Sequence, residues 1–232
     1  MRALEPELRQ GLRALGVALE DAQVSALLDY LALIQKWTKV YNLTAVRDPS
    51  EMLTHHVLDS LAVLTPLRQQ LQALQQEGRL VADAPLSLLD VGSGAGLPGV
   101  VIAICCPQVQ VHCVDTVAKK AAFIQQVAVS LKLANLRGIH ARVESLTQQY
   151  TVVSSRAFAS LLDFTNWSAQ ALSAQGVWMG MKGKLPEQEM AALPAGVQVF
   201  HVEHLQVPGL QAERCIVWMR KRPEGADAVP AA

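Results

Sequence analysis

Three glycines at alternating positions follow a short apolar run in the stretch LLDVGSGAGLPG, residues 88–99. The run is typical of a buried strand and Pro98 suits the first turn of a helix, so we expect the glycines in a strand-to-helix turn. Such a turn lets the backbone approach a ligand closely, because glycine has no side chain. In a parallel sheet, ligands bind beyond the carboxyl ends of the strands. The stretch therefore predicts a ligand site at the end of this strand.

The spacing of the glycines indicates the class of ligand. Gly92, Gly94 and Gly96 form GxGxG, whereas the dinucleotide fingerprint GxGxxG would need glycine where Leu97 stands. Asp115 closes the next apolar run, VQVHCVDT, where a carboxylate can accept hydrogen bonds from both hydroxyls of a ribose. The pattern favours a nucleoside with an amino-acid tail over a dinucleotide. A plain tight turn without a ligand is the alternative.

Apolar runs alternate with helical segments from residue 86 onward. This alternation predicts an α/β fold with a doubly wound, mostly parallel sheet. The last two runs are separated only by PGLQAE, which predicts an antiparallel hairpin at the edge of the sheet. The seven predicted strands are SLLDVG, VQVHCVDT, LRGIHAR, YTVVSSRAF, GVWMGMKG, VQVFHVEHLQV and RCIVWMRK. Helices are predicted between them at residues 98–105, 117–133 and 161–172.

The first 80 residues predict helices. Apolar residues recur at three- and four-residue spacing from Asp21, a predicted N-cap, to Trp37, and a second helix is predicted at residues 51–64. The Gln-rich run at residues 66–78 is polar enough to predict a solvated excursion. We expect an N-terminal helical extension at residues 1–80, a sheet domain at 81–222 and a flexible tail at 223–232.

Composition limits the class of protein. With 51% hydrophobic residues the chain of 232 residues is predicted to be globular. The apolar stretch at residues 97–107 is shorter than the roughly 18 residues of a membrane span, which predicts a soluble, cytoplasmic protein without a membrane partner. The four cysteines lack the spacing of metal ligands and are predicted to be reduced core thiols, with no metal site. They are Cys105, Cys106, Cys113 and Cys215.

The charge of the chain is balanced overall but unevenly spread. The formal net charge is +0, yet residues 111–222 carry 12 Lys or Arg against 7 Asp or Glu. This excess allows a shallow basic face toward an anionic partner. Ordinary sampling of surface charge explains it equally well.

Sequence blocks on both sides of the glycine loop resemble those of one bacterial family. They are KWTKVYNLTAVRDPSEMLTHHVLDS, DVGSGAGLPG, SRAFASL, MKGKLPEQEMAALP and LQVPGLQAERCIVWMRK. From residue 21 to residue 221 the chain resembles the 16S rRNA guanine-N7 methyltransferases of the RsmG type, also called glucose-inhibited division protein B. The resemblance implies a Rossmann-like class I methyltransferase that depends on S-adenosylmethionine. It also implies methylation of N7 of one guanine, at the 527-type position, in the 16S rRNA of the small ribosomal subunit.

The resemblance further implies where the cofactor binds. The family's cofactor contacts match Gly92 and Leu97 in the loop, Val143 and Glu144 after the third strand, and Arg156 after the fourth. Each also has a purely structural interpretation: Leu97 as a core residue, Glu144 as a solvated helix start, and Arg156 as an ion-pair partner. Our own strand-end and loop arguments add Asp115, Gly94 and Gly96.

Methyl transfer to guanine N7 needs no general base, because N7 offers a free lone pair and has no proton to lose. An enzyme can accelerate the reaction by holding N7, the methyl carbon and sulfur in line. We therefore assign no catalytic side chain. The pair His55 and His56 is expected to be structural, since adjacent helical residues point in different directions.

An RNA substrate would have to present N7 at the strand ends, so we expect a loop guanine or one splayed from its helix. Tyr41, Trp37 and Phe158 are candidates for stacking on a base, although the apolar stripe makes Trp37 a better core residue. The candidates for phosphate contact, each with a solvated surface role as the alternative, are Lys36, Lys39, Arg47, Lys119, Lys120, Lys182, Lys184 and Arg214.

Three other functions stay open at this point. The chain could be a methyltransferase for a small molecule or protein, or an assembly factor that retains the fold without turnover. A nicotinamide-dependent dehydrogenase is disfavoured by Leu97. A monomer is expected in each case.

Overall fold

A seven-stranded sheet carries the fold in the computed structural model, which describes residues 1–80 and 85–222. The strand order is β3-β2-β1-β4-β5-β7-β6. Strands β1 to β5 pair in parallel, and β7 is antiparallel to both β5 and β6. This confirms the predicted sheet and its antiparallel hairpin. The strands are β1 (Leu86–Val91), β2 (Val109–Asp115), β3 (Leu136–His140), β4 (Tyr150–Arg156), β5 (Leu172–Lys182), β6 (Val197–Leu205) and β7 (Arg214–Lys221).

The order of the strands reverses at β1. Its two neighbours are β2 and β4, and Val91 near its end aligns with Val114 on one side and Ser155 on the other. Ligands of open α/β sheets bind beyond the carboxyl ends of the strands at such a reversal. The ends of β1, β2 and β4 therefore mark the place where a site is expected.

Helices precede and interleave with the strands. They are α1 (Glu5–Ala14), α2 (Asp21–Tyr41), α3 (Pro49–Met52), α4 (Asp59–Leu61), α5 (Leu64–Gln76), α6 (Gly99–Cys105), α7 (Ala118–Ser130), α8 (Leu161–Ser168) and α9 (Glu187–Ala191). A π-helical turn, Leu53–Leu58, joins α3 to α4, and single 3₁₀ turns lie at Arg2–Leu4 and Val143–Ser145. Helix α8 ends four residues before its predicted end because β5 begins at Leu172, whose buried side chain aligns with Tyr150 of β4.

The N-cap of helix α2 lies one residue before the predicted one. Glu20, not Asp21, is the N-cap: its side chain accepts a hydrogen bond from the backbone of Gln23, whose own side chain accepts one from the Glu20 backbone N–H. This reciprocal arrangement satisfies two backbone donors at the start of the helix. The helix ends at Asn42, which has a left-handed φ of 51°.

The Gln-rich run is a helix, so the prediction of a solvated excursion is wrong. Helix α5 buries Leu64, Leu67, Leu71 and Leu74. These leucines recur at three- and four-residue spacing and form one apolar face, while the glutamines lie mainly on the other. The mean polarity of the run concealed this periodicity.

The helical extension and the sheet share a hydrophobic core. Buried residues of α2, α6 and the sheet, such as Leu31, Val101 and Val111, belong to one cluster. A second cluster on the other face of the sheet contains Phe164 and Trp178. The boundary between residues 80 and 81 stays a prediction, and residues 81–84 and the predicted tail at 223–232 lie outside the described part of the chain.

The four cysteines are free thiols and all are buried, as predicted for core residues. Burial raises the pKa of Cys105 to about 12. In the described ranges, no helix is long and apolar enough to cross a membrane.

Candidate functional site

The glycine loop begins directly after β1 with backbone that only glycine adopts easily. Gly92 and Gly94 have φ values of 64° and 58°. A Cβ atom at Gly92 would lie 2.1 Å from the ring of Phe158, whereas a Cβ at Gly94 would meet no atom within 4 Å. The Gly92 N–H donates to the carbonyl of Val114 at 2.9 Å, which ties the loop to β2. The loop is thus held against two strands with its backbone accessible.

Asp90 in β1 links the segment that follows the loop to the neighbouring strand β4. Its Oδ2 accepts a hydrogen bond from the Gly99 N–H at 3.0 Å, and its Oδ1 accepts one from the Ser154 hydroxyl at 2.9 Å. The side chain is fully buried, and this burial raises the pKa of Asp90 to about 6. Asp90 therefore shapes the loop and does not face a ligand.

Asp115 stands at the end of β2 and faces the loop. Its Oδ2 accepts a hydrogen bond from the Gly94 N–H at 3.1 Å, and its Oδ1 accepts one from the Val117 N–H at 2.8 Å. The ammonium of Lys120 lies 3.6 Å from Oδ2. Because each carboxylate oxygen has a second lone pair, Asp115 can still accept hydrogen bonds from a ligand.

A first cavity of about 520 Å³ opens beside Asp115. The predicted residues Gly92, Val143 and Glu144 line it together with Asp115 and Lys120. Val143 is buried and Glu144 is exposed, both in the 3₁₀ turn after β3. The structure therefore brings four of the predicted cofactor residues to one cavity, and it places Lys120 there as well, beside a carboxylate.

Two aromatic side chains line the first cavity. Phe158 follows β4, and Trp167 comes from α8; their rings meet edge to face with centroids 5.8 Å apart. Trp167 was not predicted, because its position on a helix far along the chain carries no local signal. The pair gives this cavity an aromatic, apolar part of its lining.

A second cavity of about 420 Å³ adjoins the first, and Gly92 and Ala157 line both. Ala157 has a left-handed φ of 51° at the point where the chain leaves β4. The predicted residues Gly94, Leu97, Arg156, Lys182 and Arg214 line the second cavity. Gly96 is buried behind it, and Leu97, which is also buried, belongs both to the core and to the cavity wall.

A buried acid of the helical extension, Asp59, lines the second cavity, and no sequence pattern predicted it. Asp59 at the start of α4 is 1% exposed. Its Oδ2 accepts a hydrogen bond from Nη1 of Arg156 at 2.7 Å, and its Oδ1 accepts one from Nε of Arg214 at 2.8 Å. Arg156 also donates to the carbonyl of His55 at 2.9 Å. One carboxylate thus fixes two guanidinium groups from β4 and β7 at the cavity wall.

A neutral histidine also lines the second cavity. His56 lies within hydrogen-bond distance of the Thr44 hydroxyl, with 2.8 Å between Nε2 and Oγ1. Burial, reinforced by the nearby Arg156, lowers the pKa of His56 to about 4. The imidazole is therefore uncharged near neutral pH, and its structural role stays a prediction.

The basic residues predicted for phosphate contact fall into two groups. Lys36, Lys39, Lys119 and Lys184 are exposed. Others are engaged within the protein. Lys182 donates to the Ala159 carbonyl at 2.9 Å and to Glu189 at 2.8 Å, and Arg47 donates to the Thr38 carbonyl at 3.1 Å and to Asn42 at 2.7 Å. Arg214 and Lys120 pair with carboxylates at the cavities, as described above.

Comparison with known proteins identifies the family. A family model described as "rRNA small subunit methyltransferase G" matches residues 23–217. The "Ribosomal RNA small subunit methyltransferase G" of Albidiferax ferrireducens is 68% identical over 95% of this chain and 99% of that protein. The protein of the same name from a Polaromonas species is 65% identical over 97% of each chain.

Solved structures show the same fold at low sequence identity. The crystal structure of TrmN from Thermus thermophilus matches with a TM-score of 0.50 and 18% identity, over 65% of this chain and 48% of that one. The motif blocks, the sheet and the sequence relatives agree. The chain therefore belongs to the rRNA small subunit methyltransferase G family, and it is an S-adenosylmethionine-dependent methyltransferase.

Proposed function

We propose that the chain transfers the methyl group of S-adenosylmethionine to N7 of one guanine, at the 527-type position of 16S rRNA. The observation that carries the proposal is the junction of the two cavities at Gly92 and Ala157. One side of the junction presents a carboxylate and aromatic walls suited to a nucleoside. The other side presents arginines and a neutral imidazole suited to an RNA base.

The residues of the first cavity fit S-adenosylmethionine, which supplies an electrophilic methyl group on a sulfonium sulfur when bound. Asp115 would accept hydrogen bonds from the ribose hydroxyls. Val143 and Phe158 would offer apolar contacts to the adenine, with Glu144 at the rim. The backbone of Gly92 and Gly94 would face the amino-acid tail, toward Leu97 and Arg156. Of the positions that the family resemblance assigns to the cofactor, Gly92, Val143 and Glu144 line this first cavity, whereas Leu97 and Arg156 line the second, beside the loop.

The second cavity would hold the guanine. Arg156 and Arg214 present their guanidinium groups there, fixed by Asp59, and the uncharged His56 adds no further positive charge beside the base. Rigid walls of this kind favour an in-line arrangement of N7 with the methyl group. The methylated base is cationic. Asp59 offsets one of the two arginine charges and so reduces the electrostatic cost of forming that cation.

We propose that the substrate is 16S rRNA in the small ribosomal subunit and that the enzyme acts on it as a monomer in the cytoplasm. The exposed residues Lys36, Lys39, Lys119 and Lys184, with Lys182 and Arg214 at the cavity and Arg47 near it, would contact the phosphates or support the groups that do.

The test is transfer of labelled methyl groups to small subunits that lack the modification. The RNA is then cleaved with alkali and aniline at 7-methylguanine, and the cleavage site is mapped by primer extension. One labelled guanine is the expected result. Binding of S-adenosylmethionine without transfer would contradict the proposal and favour an assembly factor. Transfer to another substrate with no label on the subunit would contradict it as well.

A matched pair of glycine variants ties the reaction to the loop. Gly92 and Gly16 both have a φ of 64°, so Ala costs each about 1 kcal/mol of backbone strain. At Gly16 a Cβ atom meets nothing within 4 Å, whereas at Gly92 it would collide with Phe158 between the cavities. We expect Gly92→Ala to raise the Kd for S-adenosylmethionine more than tenfold, and Gly16→Ala to leave it unchanged.

A further inference from the structure

The carboxyl-terminal end of α2 carries an exposed apolar patch beside lysines. Among the large hydrophobic residues of the described chain, few are exposed, and two of them are adjacent: Val40 is 69% exposed and Tyr41 is 40% exposed. Lys36 and Lys39 on the same helix are also exposed. We call Lys36, Lys39, Val40 and Tyr41 the rim platform. An exposed aromatic ring beside lysines is suited to a ligand that combines a flat base with phosphates.

The ring of Tyr41 in the rim platform packs against a second aromatic ring. The ring of Tyr41 lies 5.1 Å from that of Trp37, with 36° between their planes, and Trp37 lies 5.3 Å from the buried ring of Phe123 on α7. Phe123 anchors this stack in the core. A ring fixed in this way loses little conformational entropy when a base stacks on it, which is the property of a stacking site for single-stranded nucleic acid.

The charges around the rim platform are positive. Lys119, one helical turn before Phe123 on α7, is exposed like Lys36 and Lys39. In the parts of the chain that the structure describes, none of these three lysines pairs with a carboxylate. Three unneutralised ammonium groups attract phosphates.

The chain connects the rim platform directly to the second cavity. Asn42 ends α2 in a left-handed conformation, and the next two residues, Leu43 and Thr44, line the cavity. Arg47 braces this turn by donating to the Thr38 carbonyl and to Asn42. A nucleotide next to the base in the cavity would therefore meet Tyr41 at the rim.

We propose that the rim platform binds an unpaired nucleotide beside the target guanine, with its base on Tyr41 and its phosphates near Lys36, Lys39 and Lys119. The inference rests on the proposed function, since it names a second contact of the same RNA substrate. It assigns to the helical extension a role in substrate recognition that the cofactor cavity cannot supply.

The first test measures methyl transfer to unmodified small subunits by Tyr41 variants. Tyr41→Ala should raise KM for subunits about tenfold, the effect of losing one stacked base, with kcat and the Kd for S-adenosylmethionine unchanged. Tyr41→Phe retains the ring and should behave like the wild type. Val129→Ala removes an apolar side chain that is 67% exposed near the carboxyl-terminal end of α7, and it is the control. A wild-type KM in Tyr41→Ala overturns the inference, and so does an equal loss in Tyr41→Phe.

The second test identifies the molecule that contacts Tyr41. A photoreactive p-benzoylphenylalanine at position 41 should crosslink to 16S rRNA within a few nucleotides of the methylated guanine, as mapped by primer extension. A crosslink to a ribosomal protein, or to distant RNA, overturns the inference. The wild type must methylate the subunit in both tests. If it does not, the proposed function fails; if it does and the variants behave otherwise than expected, only the rim platform fails.

Discussion

The phenol of Tyr30 in the helical extension donates a hydrogen bond to the carbonyl of Ala95 in the glycine loop at 2.7 Å. The carbonyl of Gly96 lies 3.3 Å from the same hydroxyl. Tyr30 is fully buried, and burial raises its pKa well above the usual value, so the group always acts as a donor near neutral pH. One side chain of α2 therefore holds the loop that we assign to the cofactor.

We expect Tyr30→Phe to weaken both the fold and the cofactor site. It leaves the buried carbonyl of Ala95 without its donor, which costs about 1 to 3 kcal/mol of unfolding free energy, whereas the carbonyl of Gly96 still accepts from the Val100 N–H. The control is Tyr150→Phe, which removes a buried hydroxyl that lies 2.8 Å from His112 within the sheet, away from the loop. Urea denaturation should show similar losses for the two variants. Only Tyr30→Phe should raise the Kd for S-adenosylmethionine, and an equal Kd in the two variants would contradict this prediction.

The ion pairs of Asp59 with Arg156 and Arg214 lead to a second prediction. Asp59→Ala leaves Arg156 and Arg214 facing each other without a counter-charge. Breaking a buried ion pair costs about 3 to 5 kcal/mol, and we expect the low end because both arginines remain partly exposed. Methyl transfer should fall more than tenfold even at a temperature where the variant is folded, because neither guanidinium is held at the cavity.

An exposed ion pair supplies the control for Asp59. Asp29 pairs with Arg2 at 3.2 Å, and both side chains are more than half exposed. Asp29→Ala should change the unfolding free energy by less than about 1 kcal/mol and leave methyl transfer intact. If thermal denaturation and methyl transfer give the same results for Asp59→Ala and Asp29→Ala, the ion pairs of Asp59 do not hold the two arginines at the cavity.

Local patterns in the sequence were sufficient to predict the residues that lie next to a motif or at a strand end. Gly92 and Asp115 could be placed because parallel strands end at one edge of the sheet, so their carboxyl ends meet whatever the details of packing, whereas Val143 was implied by the family resemblance. The seven strands followed from apolar runs of the right length. These features depend on neighbours in the chain or on topology.

Residues that reach the site across long stretches of chain could not be predicted. Asp59 meets Arg214 from 155 positions away, and Tyr30 meets Ala95 from 65 positions away. Nothing in a helix distinguishes such an acid or phenol from its neighbours until the helix packs. Likewise, Lys120 was predicted to contact phosphate, yet the first turn of α7 places its ammonium beside Asp115. Partners in three dimensions determine these roles.

The buried carboxyl of Asp90 predicts a stability that falls as the pH rises. Burial raises its pKa from 3.8 to about 6, so the folded protein binds this proton more tightly than the unfolded chain does. Between about pH 4 and pH 6 the unfolded state releases the proton first, and the unfolding free energy decreases with increasing pH in this window.

The variant Asp90→Asn isolates that contribution. Its amide can still accept from the Gly99 N–H and can donate to the Ser154 hydroxyl, so the fold should be retained. Urea denaturation of both proteins from pH 4 to pH 7 gives the difference in unfolding free energy. The unfolding free energy of the wild type should increase relative to that of the variant as the pH falls from 6 to 4. A difference independent of pH would show that Asp90 is ionised at an ordinary pKa.

The lowered pKa of His56 predicts the opposite dependence of the unfolding free energy on pH. Its pKa is lowered from 6.5 to about 4, mainly by burial, so the unfolded chain takes up the proton first as the pH falls. Stability present above pH 6.5 is therefore lost between about pH 6.5 and pH 4. His56→Gln, which keeps a polar group near the Thr44 hydroxyl, should lack this loss in urea denaturation at the same pH values.

The same pair of proteins tests whether the reaction uses a base. In the folded wild type His56 is already neutral above about pH 5, and methyl transfer to N7 removes no proton. Single-turnover transfer to small subunits should therefore vary less than about threefold between pH 6.5 and pH 8, in the wild type and in His56→Gln alike. Because the imidazole is neutral throughout this range, a general base at His56 would appear as a loss of rate at every pH: a His56→Gln rate more than about a hundredfold below that of the wild type would make a mechanism of positioning alone wrong.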